Sequence, residues 1–154
     1  MKKMIKIFVF LLIFVFGMSN FSYSAAIGIG ELVDNFQKAT DLQKDQILND
    51  NLGKEISGQG AVSNVGEYDF FDTVNDFKGT YYQVSTGQQK TKNGVPYQVI
   101  LLFKDKESVK DIDKGQNIQK DGKIIRVTDE RLQISVWLLC GELTEKDKAL
   151  FKQG

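Results

Sequence analysis

The sequence contains no histidine, one cysteine and one proline among its 154 residues. Without histidine it lacks the commonest general base and the commonest metal ligand in proteins. The single thiol, Cys140, cannot form an intramolecular disulfide, so the fold must depend on its core. Arginine is scarce as well, with Arg126 and Arg131 the only two. These absences argue against histidine-based catalysis, a disulfide-stapled scaffold and an arginine-rich surface for nucleic acid.

The beginning of the chain has the layout of a secretory signal peptide. Three lysines lie within residues 1–6, residues 7–16 are all apolar, and small side chains surround a cleavage point after Ser24 or Ala26. The apolar run is well short of the roughly 20 residues that a membrane-spanning helix needs. We therefore expect residues 1–24 to be removed on export to the periplasm or the medium. A retained membrane anchor is the alternative.

The remaining residues, 25–154, are enough for one domain, with its core at about residues 31–142. Residues 1–24 contain three of the 20 basic residues and none of the 20 acidic residues, so the processed chain has a net charge near −3. Proteins that bind nucleic acid usually have a surplus of basic residues, because neutralising phosphate supplies much of their affinity. The charge of this chain does not favour that class of ligand.

Apolar periodicity predicts one interrupted helix or two short helices over residues 31–51. The residue pattern after Gly53 is typical of β structure. Residues 66–79 are predicted to form a long connection rich in acidic and aromatic residues. The predicted strands cover residues 56–65, 80–86, 97–103, 117–127 and 132–140. The sequence Thr144-Glu145-Lys146-Asp147 resembles a capping box and predicts a short C-terminal helix.

Two of the predicted strands share a pattern of glycine and aliphatic residues. The turn glycines Gly53 and Gly115 match before the two strands. Within the strands, Ile56, Gly60, Val62 and Val65 of the first match Ile118, Gly122, Ile124 and Val127 of the fourth. A glycine inside a strand often marks a bulge or a sharp bend, by which a strand turns the corner of a barrel. The repeated pattern therefore predicts a small closed barrel. A hairpin turn at Asp121-Gly122 is the alternative.

These two segments, with Thr40–Lys44 and Gly53-Lys54 before the first and Lys114–Gln116 before the second, resemble bacterial OB-fold domains. They are most similar to an exported group called tRNA-anticodon-binding-like, and the resemblance covers about residues 31–142. It implies a mainly β fold, a five-stranded Greek-key barrel preceded by an N-terminal helix and followed by a short C-terminal helix. It also implies that a ligand lies across strands 2 and 3. The group's name suggests nucleic acid, but fold does not carry function.

Alternation along strands 2 and 3 separates the residues inside the barrel from those on the outer face. Tyr82, Val84, Val99, Leu101 and Phe103 are expected inside. The outer face and its surroundings then contain the candidate ligand-binding residues, which are Tyr81, Gln83, Gln98, Lys104, Lys123 and Arg126. Ile100 and Leu102 also face outward, and we expect a helix or a partner protein to cover them.

The sequence predicts no catalytic residues, no metal site and no cofactor. The acids of residues 66–79 lack calcium-loop spacing, and a metal-dependent nuclease would need clustered carboxylates together with arginines. Cys140 is expected to be a buried, inert thiol on the core side of the fifth strand. Trp137 faces the other way, where it is either covered by the C-terminal helix or exposed as an anchor for a partner.

Together these observations predict an exported, non-enzymatic OB-fold binding module for a protein partner or an oligomeric ligand in the cell envelope. The alternative is a protein that binds single-stranded nucleic acid, for which Tyr81, Lys104, Lys123 and Arg126 are the candidate contacts. A divergent metal-dependent hydrolase is the third reading. The oligomeric state is not predicted.

Overall fold

The structure is a computed structural model that describes residues 27–72 and 77–151. The predicted signal peptide, residues 1–24, lies outside the described residues. Within them the chain forms three helices, which are α1 (Ile29–Lys38), α2 (Asp41–Asn51) and α3 (Glu145–Phe151). It also forms six strands, which are β1 (Glu55–Asp72), β2 (Phe77–Thr86), β3 (Gln89–Lys90), β4 (Pro96–Phe103), β5 (Asn117–Asp129) and β6 (Ile134–Leu139).

Five of these strands close into a barrel. Around the barrel, β1 pairs with β2, β2 with β4, β4 with β6, β6 with β5, and β5 with β1. The β4–β6 pair is parallel and the other four pairs are antiparallel. The two-residue strand β3 extends the sheet beside the start of β4. This strand order is that of the OB-fold, and it confirms the predicted five-stranded Greek-key barrel.

Strand β1 is long enough to contribute to two sides of the barrel. Its first part, up to Ala61, pairs with β5, and its second part, from Val62, pairs with β2. Gly60 has a φ of 154°, in the region that favours glycine, and a register shift follows between Val62 and Asn64. The strand therefore bends where the glycine pattern predicted a barrel corner.

The repeated glycine pattern corresponds to direct pairing of the two strands that contain it. Ile56 of β1 lies opposite Gly122 of β5, and Gly60 of β1 lies opposite Ile118 of β5. Gly122 is thus in the middle of a strand, and the alternative of an Asp121-Gly122 hairpin turn is wrong. A Cβ atom at Gly122 would lie 2.9 Å from the Cβ of Leu138, so the barrel closes tightly at this glycine.

The interior of the barrel is filled by aliphatic side chains, and α1 closes one end of it. Ile29, Leu32, Val33 and Phe36 of α1 are buried with the inward residues of the strands. The inward positions predicted for strands 2 and 3 are confirmed, because Val84, Val99, Leu101 and Phe103 are buried in this core and Tyr82 packs against it. A capping box formed by Thr40 and Gln43 begins α2, so the predicted helical region consists of two helices.

A second apolar cluster lies outside the barrel, beneath α3. Its buried members are Phe70, Tyr81, Ile100, Leu102, Ile125, Trp137, Leu139, Leu150 and Phe151. The last two belong to α3, so this helix covers Ile100, Leu102 and Trp137. A helix is therefore the cover that was expected for Ile100 and Leu102, and Trp137 is not an exposed anchor.

The expectation of a long connection over residues 66–79 is wrong. β1 continues to Asp72 and β2 begins at Phe77, so the two strands form a hairpin that extends beyond the barrel. The acidic residues made this segment resemble a loop. Its alternation is nevertheless that of a strand, since Tyr68 and Phe70 face the outer cluster while Glu67 and Asp69 are exposed.

Candidate ligand-binding face

The outer side of the barrel consists of side-chain rows that cross β2, β4, β6 and β5. One row contains Gln98, Ser135 and Thr128, and the next contains Ser85, Ile100, Trp137 and Arg126. A third row contains Gln83, Leu102, Leu139 and Lys123. Four of the six predicted site residues, Gln83, Gln98, Lys123 and Arg126, therefore lie on the outer side of the barrel. The buried Leu102 and Leu139 separate Gln83 from Lys123 within the third row.

The other two predicted site residues lie at the end of this surface that α3 covers. Tyr81 is only 4% exposed, and its ring lies 5.4 Å from that of Phe151, measured between centroids. Phe151 also packs edge-on against Phe70 at 4.9 Å. Because Tyr81 is buried between Phe70 and Phe151, it has no free face on which a ligand could stack.

Asp147 of α3 is the polar centre of this covered end. It is 6% exposed, and its carboxylate accepts hydrogen bonds from the Tyr81 hydroxyl at 2.6 Å and from Lys104 Nζ at 2.8 Å. The backbone N–H and the hydroxyl of Thr144 donate to the same carboxylate, each at 2.7 Å. Tyr81 and Lys104, two of the predicted ligand contacts, are therefore both engaged in holding α3 on the barrel.

The ionisation of this pair follows from its contacts. Burial by itself would raise the pKa of Asp147, but the hydrogen bonds from Lys104, Thr144 and Tyr81 outweigh it and lower the pKa to about 2. Burial, and then the bond to the Asp147 carboxylate, raise the pKa of Tyr81 far above its ordinary value. At neutral pH Asp147 is thus ionised and Tyr81 is a neutral hydrogen-bond donor.

The uncovered end of the surface is lined by amides and hydroxyls, and we call it the amide face. Its members are Gln83, Ser85, Gln98, Arg126, Thr128 and Ser135. The Gln83 amide donates to Ser85 Oγ at 2.6 Å, and the Gln98 amide donates to Ser135 Oγ at 2.8 Å. Both serines are buried while both glutamines are half-buried. The amides are therefore held in fixed positions by the hydroxyls of neighbouring outward-facing serines.

The hydrogen-bond network of the amide face continues to the turn between β5 and β6. Ser135 Oγ donates to the Glu130 carboxylate at 2.6 Å, so this serine both accepts and donates. The indole N–H of Trp137 donates to Thr128 Oγ1 at 3.3 Å. The hydroxyls of the face are paired with neighbouring groups, and the Gln83 and Gln98 amides keep further donors and acceptors for a ligand.

The two remaining cations of the predicted site differ in their surroundings. The Arg126 guanidinium lies 5.9 Å from the ring centroid of Trp137, which is 6% exposed. Lys123 is half-buried beside Leu139 and makes no side-chain hydrogen bond or ion pair within the part of the chain that the structure describes. Arg126 therefore covers the indole as well as contributing charge.

A groove of about 420 Å³ adjoins the amide face. It lies between the turn that joins β3 to β4 and the turn that joins β5 to β6, and its lining includes Gln37, Pro96, Glu130, Arg131 and Leu132. Glu130 lines the groove and also accepts the hydrogen bond from Ser135 of the amide face, so the groove and the face adjoin at this residue. Leu132 is 80% exposed at the edge of the groove.

Both walls of this groove are fastened to the helices that precede the barrel. The Asp34 carboxylate of α1 accepts hydrogen bonds from Thr91 Oγ1 at 2.6 Å and from the Asn93 amide at 2.7 Å. Lys44 of α2 forms an ion pair with Asp129 at 2.7 Å. The N-terminal helices therefore close the barrel and also position the two turns beside the face.

Other features bear on the remaining predictions. Cys140 was expected to be buried, but it is half-buried, because it follows the end of β6 and only packs against the inner core. Burial still raises the pKa of its thiol to about 11, which agrees with an inert thiol. In residues 27–72 and 77–151 no group of three or more histidine, cysteine, aspartate or glutamate side chains is placed to hold a metal ion. Nor does any helix of these residues have both the length and the apolar character needed to cross a membrane.

Comparison with known proteins supports no family assignment. No family model matches the sequence, and no curated protein matches it. Among solved structures, it is similar to the second OB-fold domain of replication protein A from Methanococcus maripaludis, with 16% identity and a TM-score of 0.32. The match covers 57% of this chain and 79% of that domain. The strand order described above establishes the OB-fold, and the weak likeness adds no argument about function.

Sequence reasoning found most of the outer face but missed the residues that organise it. Asp147 was recognised only as a helix-capping residue, and Glu130 was not singled out. The sequence could have indicated a role for Ser135. It is a serine inside the apolar strand Ile134–Leu139, and a buried serine needs a hydrogen-bond partner. No comparable signal in the sequence connects Asp147 with Tyr81.

Proposed function

We propose that this protein is an exported, non-enzymatic OB-fold module that binds a protein partner or an oligomeric ligand in the cell envelope through the amide face. One observation carries this proposal. Gln83 and Gln98 are half-buried on the outer side of the barrel, and each is fixed by a buried serine. Side chains that are held in place lose little entropy when a ligand binds, which favours binding.

Export and family membership belong to the same proposal. They are supported by the basic, apolar and small-residue order of residues 1–24 and by the glycine and aliphatic pattern shared with the exported tRNA-anticodon-binding-like group. Fractionation of the producing cells, with mass measurement of the N-terminus, tests the export. We expect a chain that begins after Ser24 or Ala26 in the envelope or medium. A chain that retains Met1 in the cytoplasm would contradict it.

Site-specific photocrosslinking tests the location of the binding site. A photoreactive amino acid at Gln98, introduced in the producing cells, should capture a ligand, whereas the same residue at Gln119 should not. Gln119 is a matched control, because its amide also donates to a serine hydroxyl, that of Ser57, but on the first part of β5 away from the amide face. Equal capture at the two positions, or none at either, would contradict binding at the amide face.

Single-stranded nucleic acid is the second candidate ligand, favoured by the Arg126 guanidinium over Trp137 and by Lys123 in the next row. Cations suit a backbone phosphate, whereas Trp137, 6% exposed, offers no face for a stacked base. This function requires affinity that falls steeply as salt rises. Binding of nucleic acid receives less support than binding of a protein partner or an oligomeric ligand. The helix α3 covers Tyr81, and Asp147 of that helix forms an ion pair with Lys104.

A further inference from the structure

We propose that the free edge of β1, residues 64–71, pairs with an extended, basic segment of a partner protein. The segment adds a strand to the sheet, and its lysine or arginine residues alternate with apolar residues. This inference goes beyond the proposed function, because the free edge faces away from β2, whereas the amide face lies on β2, β4, β6 and β5.

One edge of β1 has no partner strand beyond the bend of the barrel. On this side β5 pairs with β1 only up to Ala61. The Val62 N–H then donates to the Gln116 carbonyl at 2.8 Å, and the Val62 carbonyl accepts from the Gly115 N–H at 2.8 Å. In the part of the chain that the structure describes, residues 64–71 make no backbone hydrogen bond on this side. About 24 Å of strand edge is therefore free, at about 3.4 Å per residue.

The side chains along this edge leave it accessible. Asn64, Glu67, Asp69 and Phe71 are exposed, and Phe71 is 62% exposed. A Cβ atom added at Gly66 would meet nothing nearer than the Asn64 amide at 3.8 Å. An unpaired edge of this kind is a template for another strand, because main-chain hydrogen bonds supply affinity and alternate side chains supply specificity.

The row of side chains that contains Glu67 and Asp69 has an excess of negative charge. Asp69 forms an ion pair with Lys78 at 2.6 Å and accepts a hydrogen bond from the Thr80 hydroxyl at 2.8 Å. Glu67 makes no side-chain hydrogen bond or ion pair among the described residues. Two carboxylates therefore face one ammonium group, and a basic side chain opposite Glu67 balances the remaining charge.

The other row of the edge is aromatic. Tyr68 is half-buried at the margin of the outer cluster, and its ring lies 4.8 Å from that of Phe70, measured between centroids. Successive side chains of an added strand point to opposite faces, as those of β1 do. A segment with basic residues opposite Glu67 and Asp69 places the residue between them beside Tyr68. An apolar side chain in that position buries more apolar surface.

A second copy of this chain fits the edge less well than a basic segment does. In an antiparallel pair with Tyr68 opposite Tyr68, Glu67 of each copy lies opposite Asp69 of the other. Like charges directly opposite one another destabilise a sheet. The acidic residues of the edge therefore favour a basic partner over self-association.

NMR titration of the processed chain tests the proposal. The probe is an acetylated peptide of the same length as the edge, in which lysine alternates with valine. A copy with glutamate in place of lysine is the charge control. We expect the lysine peptide to shift the amide resonances of residues 64–71 and to bind at least about tenfold more tightly than the glutamate peptide.

N-methylation of the peptide separates strand pairing from attraction between charges. Alternate amides of an added antiparallel strand point toward β1 and the others point away, so two peptides are made, each methylated on one alternate set. One of them should lose about tenfold or more in affinity, because it cannot donate to the edge, and the other should stay within about twofold of the parent peptide. Equal binding of the two methylated peptides would overturn the proposal.

Two variants of the protein locate the contact. Glu67→Gln should weaken binding of the lysine peptide by about twofold to fivefold, the effect of losing one exposed charge pair. Glu55→Gln is the matched control, because Glu55 is also an exposed residue of β1 but lies in the part that pairs with β5. It should leave the affinity unchanged. Equal effects of the two variants would overturn the assignment of the peptide to this edge.

Three further outcomes would overturn the proposal. The first is no response to the lysine peptide, and the second is a set of shifts confined to the amide face. The third is a dimer of the processed chain in analytical ultracentrifugation whose formation protects the amides of residues 64–71 from hydrogen exchange. That result would make a second copy, and not a basic partner, the occupant of the edge.

Discussion

The Tyr81 hydroxyl donates a hydrogen bond to the Asp147 carboxylate across 2.6 Å, although the two residues are 66 positions apart in the sequence. This contact connects β2 of the barrel with α3. Leu150 and Phe151 of the same helix cover the outer apolar cluster. The hydrogen bond therefore helps to hold α3 on the outer side of the barrel, and the position of α3 determines how much of that side is open to a ligand.

Replacing Tyr81 with phenylalanine tests the strength of this connection. Tyr81→Phe removes the donor and leaves the ring, so we expect the free energy of unfolding to fall by about 1.5–3 kcal/mol, as for hydrogen bonds to charged groups. Urea denaturation measures the change. Tyr97→Phe is the control, because the Tyr97 hydroxyl makes only a 3.4 Å contact with Gln89 and should contribute little. Equal losses in the two variants would show that the bond to Asp147 adds nothing.

Acid should weaken the attachment of α3 in a defined pH range. The pKa of Asp147 is lowered from 3.8 to about 2 in the folded protein, so its ionised form is stabilised by folding. A group of this kind contributes stability above its unfolded pKa and loses the contribution as pH falls through its folded pKa. We expect a loss of about 2 kcal/mol between roughly pH 4 and pH 2.

The Asp147→Asn variant isolates this contribution from that of other carboxylates. It should be less stable than the parent at neutral pH, and the difference should shrink as pH approaches 2, where Asp147 of the parent becomes protonated. Urea denaturation at a series of pH values measures both curves. A difference that stays constant from pH 7 to pH 2 would be inconsistent with the lowered pKa of Asp147.

Gly79 lies beneath α3 and leaves no room for a side chain. A Cβ atom there would lie 2.5 Å from Leu150 Cδ1 and 3.0 Å from Tyr81 Cε2. Gly79→Ala should therefore destabilise the protein by about 1–3 kcal/mol, the usual cost of overpacking. It should also speed amide hydrogen exchange at Leu150 and Phe151.

Gly66→Ala is the matched control for this substitution. Gly66 is also in the β1–β2 hairpin, but its Cβ atom would have free space. We expect its stability to change by no more than about 0.5 kcal/mol, as for most surface substitutions. Faster exchange of α3 in Gly66→Ala, or unchanged exchange in Gly79→Ala, would contradict the close packing of Gly79 against the helix.

The barrel could be predicted because its closure depends on a pattern that is local in the sequence. Ile56 of β1 lies opposite Gly122 of β5, and Ile118 of β5 lies opposite Gly60 of β1. Each strand thus places an isoleucine against a glycine of the other. Each strand therefore contains the same spacing of isoleucine and glycine. Strand alternation likewise predicted which side chains of β2 and β4 enter the core.

Which residues of the candidate site are covered by α3 could not be predicted in the same way. Tyr81 and Lys104 have the right residue types and lie on or beside the outer face, but both contact Asp147, which is 66 and 43 positions away. The extent of β1 was missed for a similar reason, since Phe70 is buried by Phe151 of the terminal helix. These outcomes depend on where α3 docks on the barrel. A short helix that buries only two apolar residues does not specify its docking site in the sequence.

Blocking the open end of the amide face tests whether a ligand occupies it. Gly66→Leu places an aliphatic side chain beside Gln83, where space is free, without removing any hydrogen bond. With a photoreactive amino acid at Gln98, we expect Gly66→Leu to lower the capture of ligand in the producing cells by about tenfold or more relative to Gly66→Ala, since a steric obstruction excludes contacts worth more than about 1.4 kcal/mol. The yield of crosslinked product measures the capture, and urea denaturation verifies that the stability matches that of Gly66→Ala. Equal yields from the two variants would show that the ligand does not extend to the β1 side of the face.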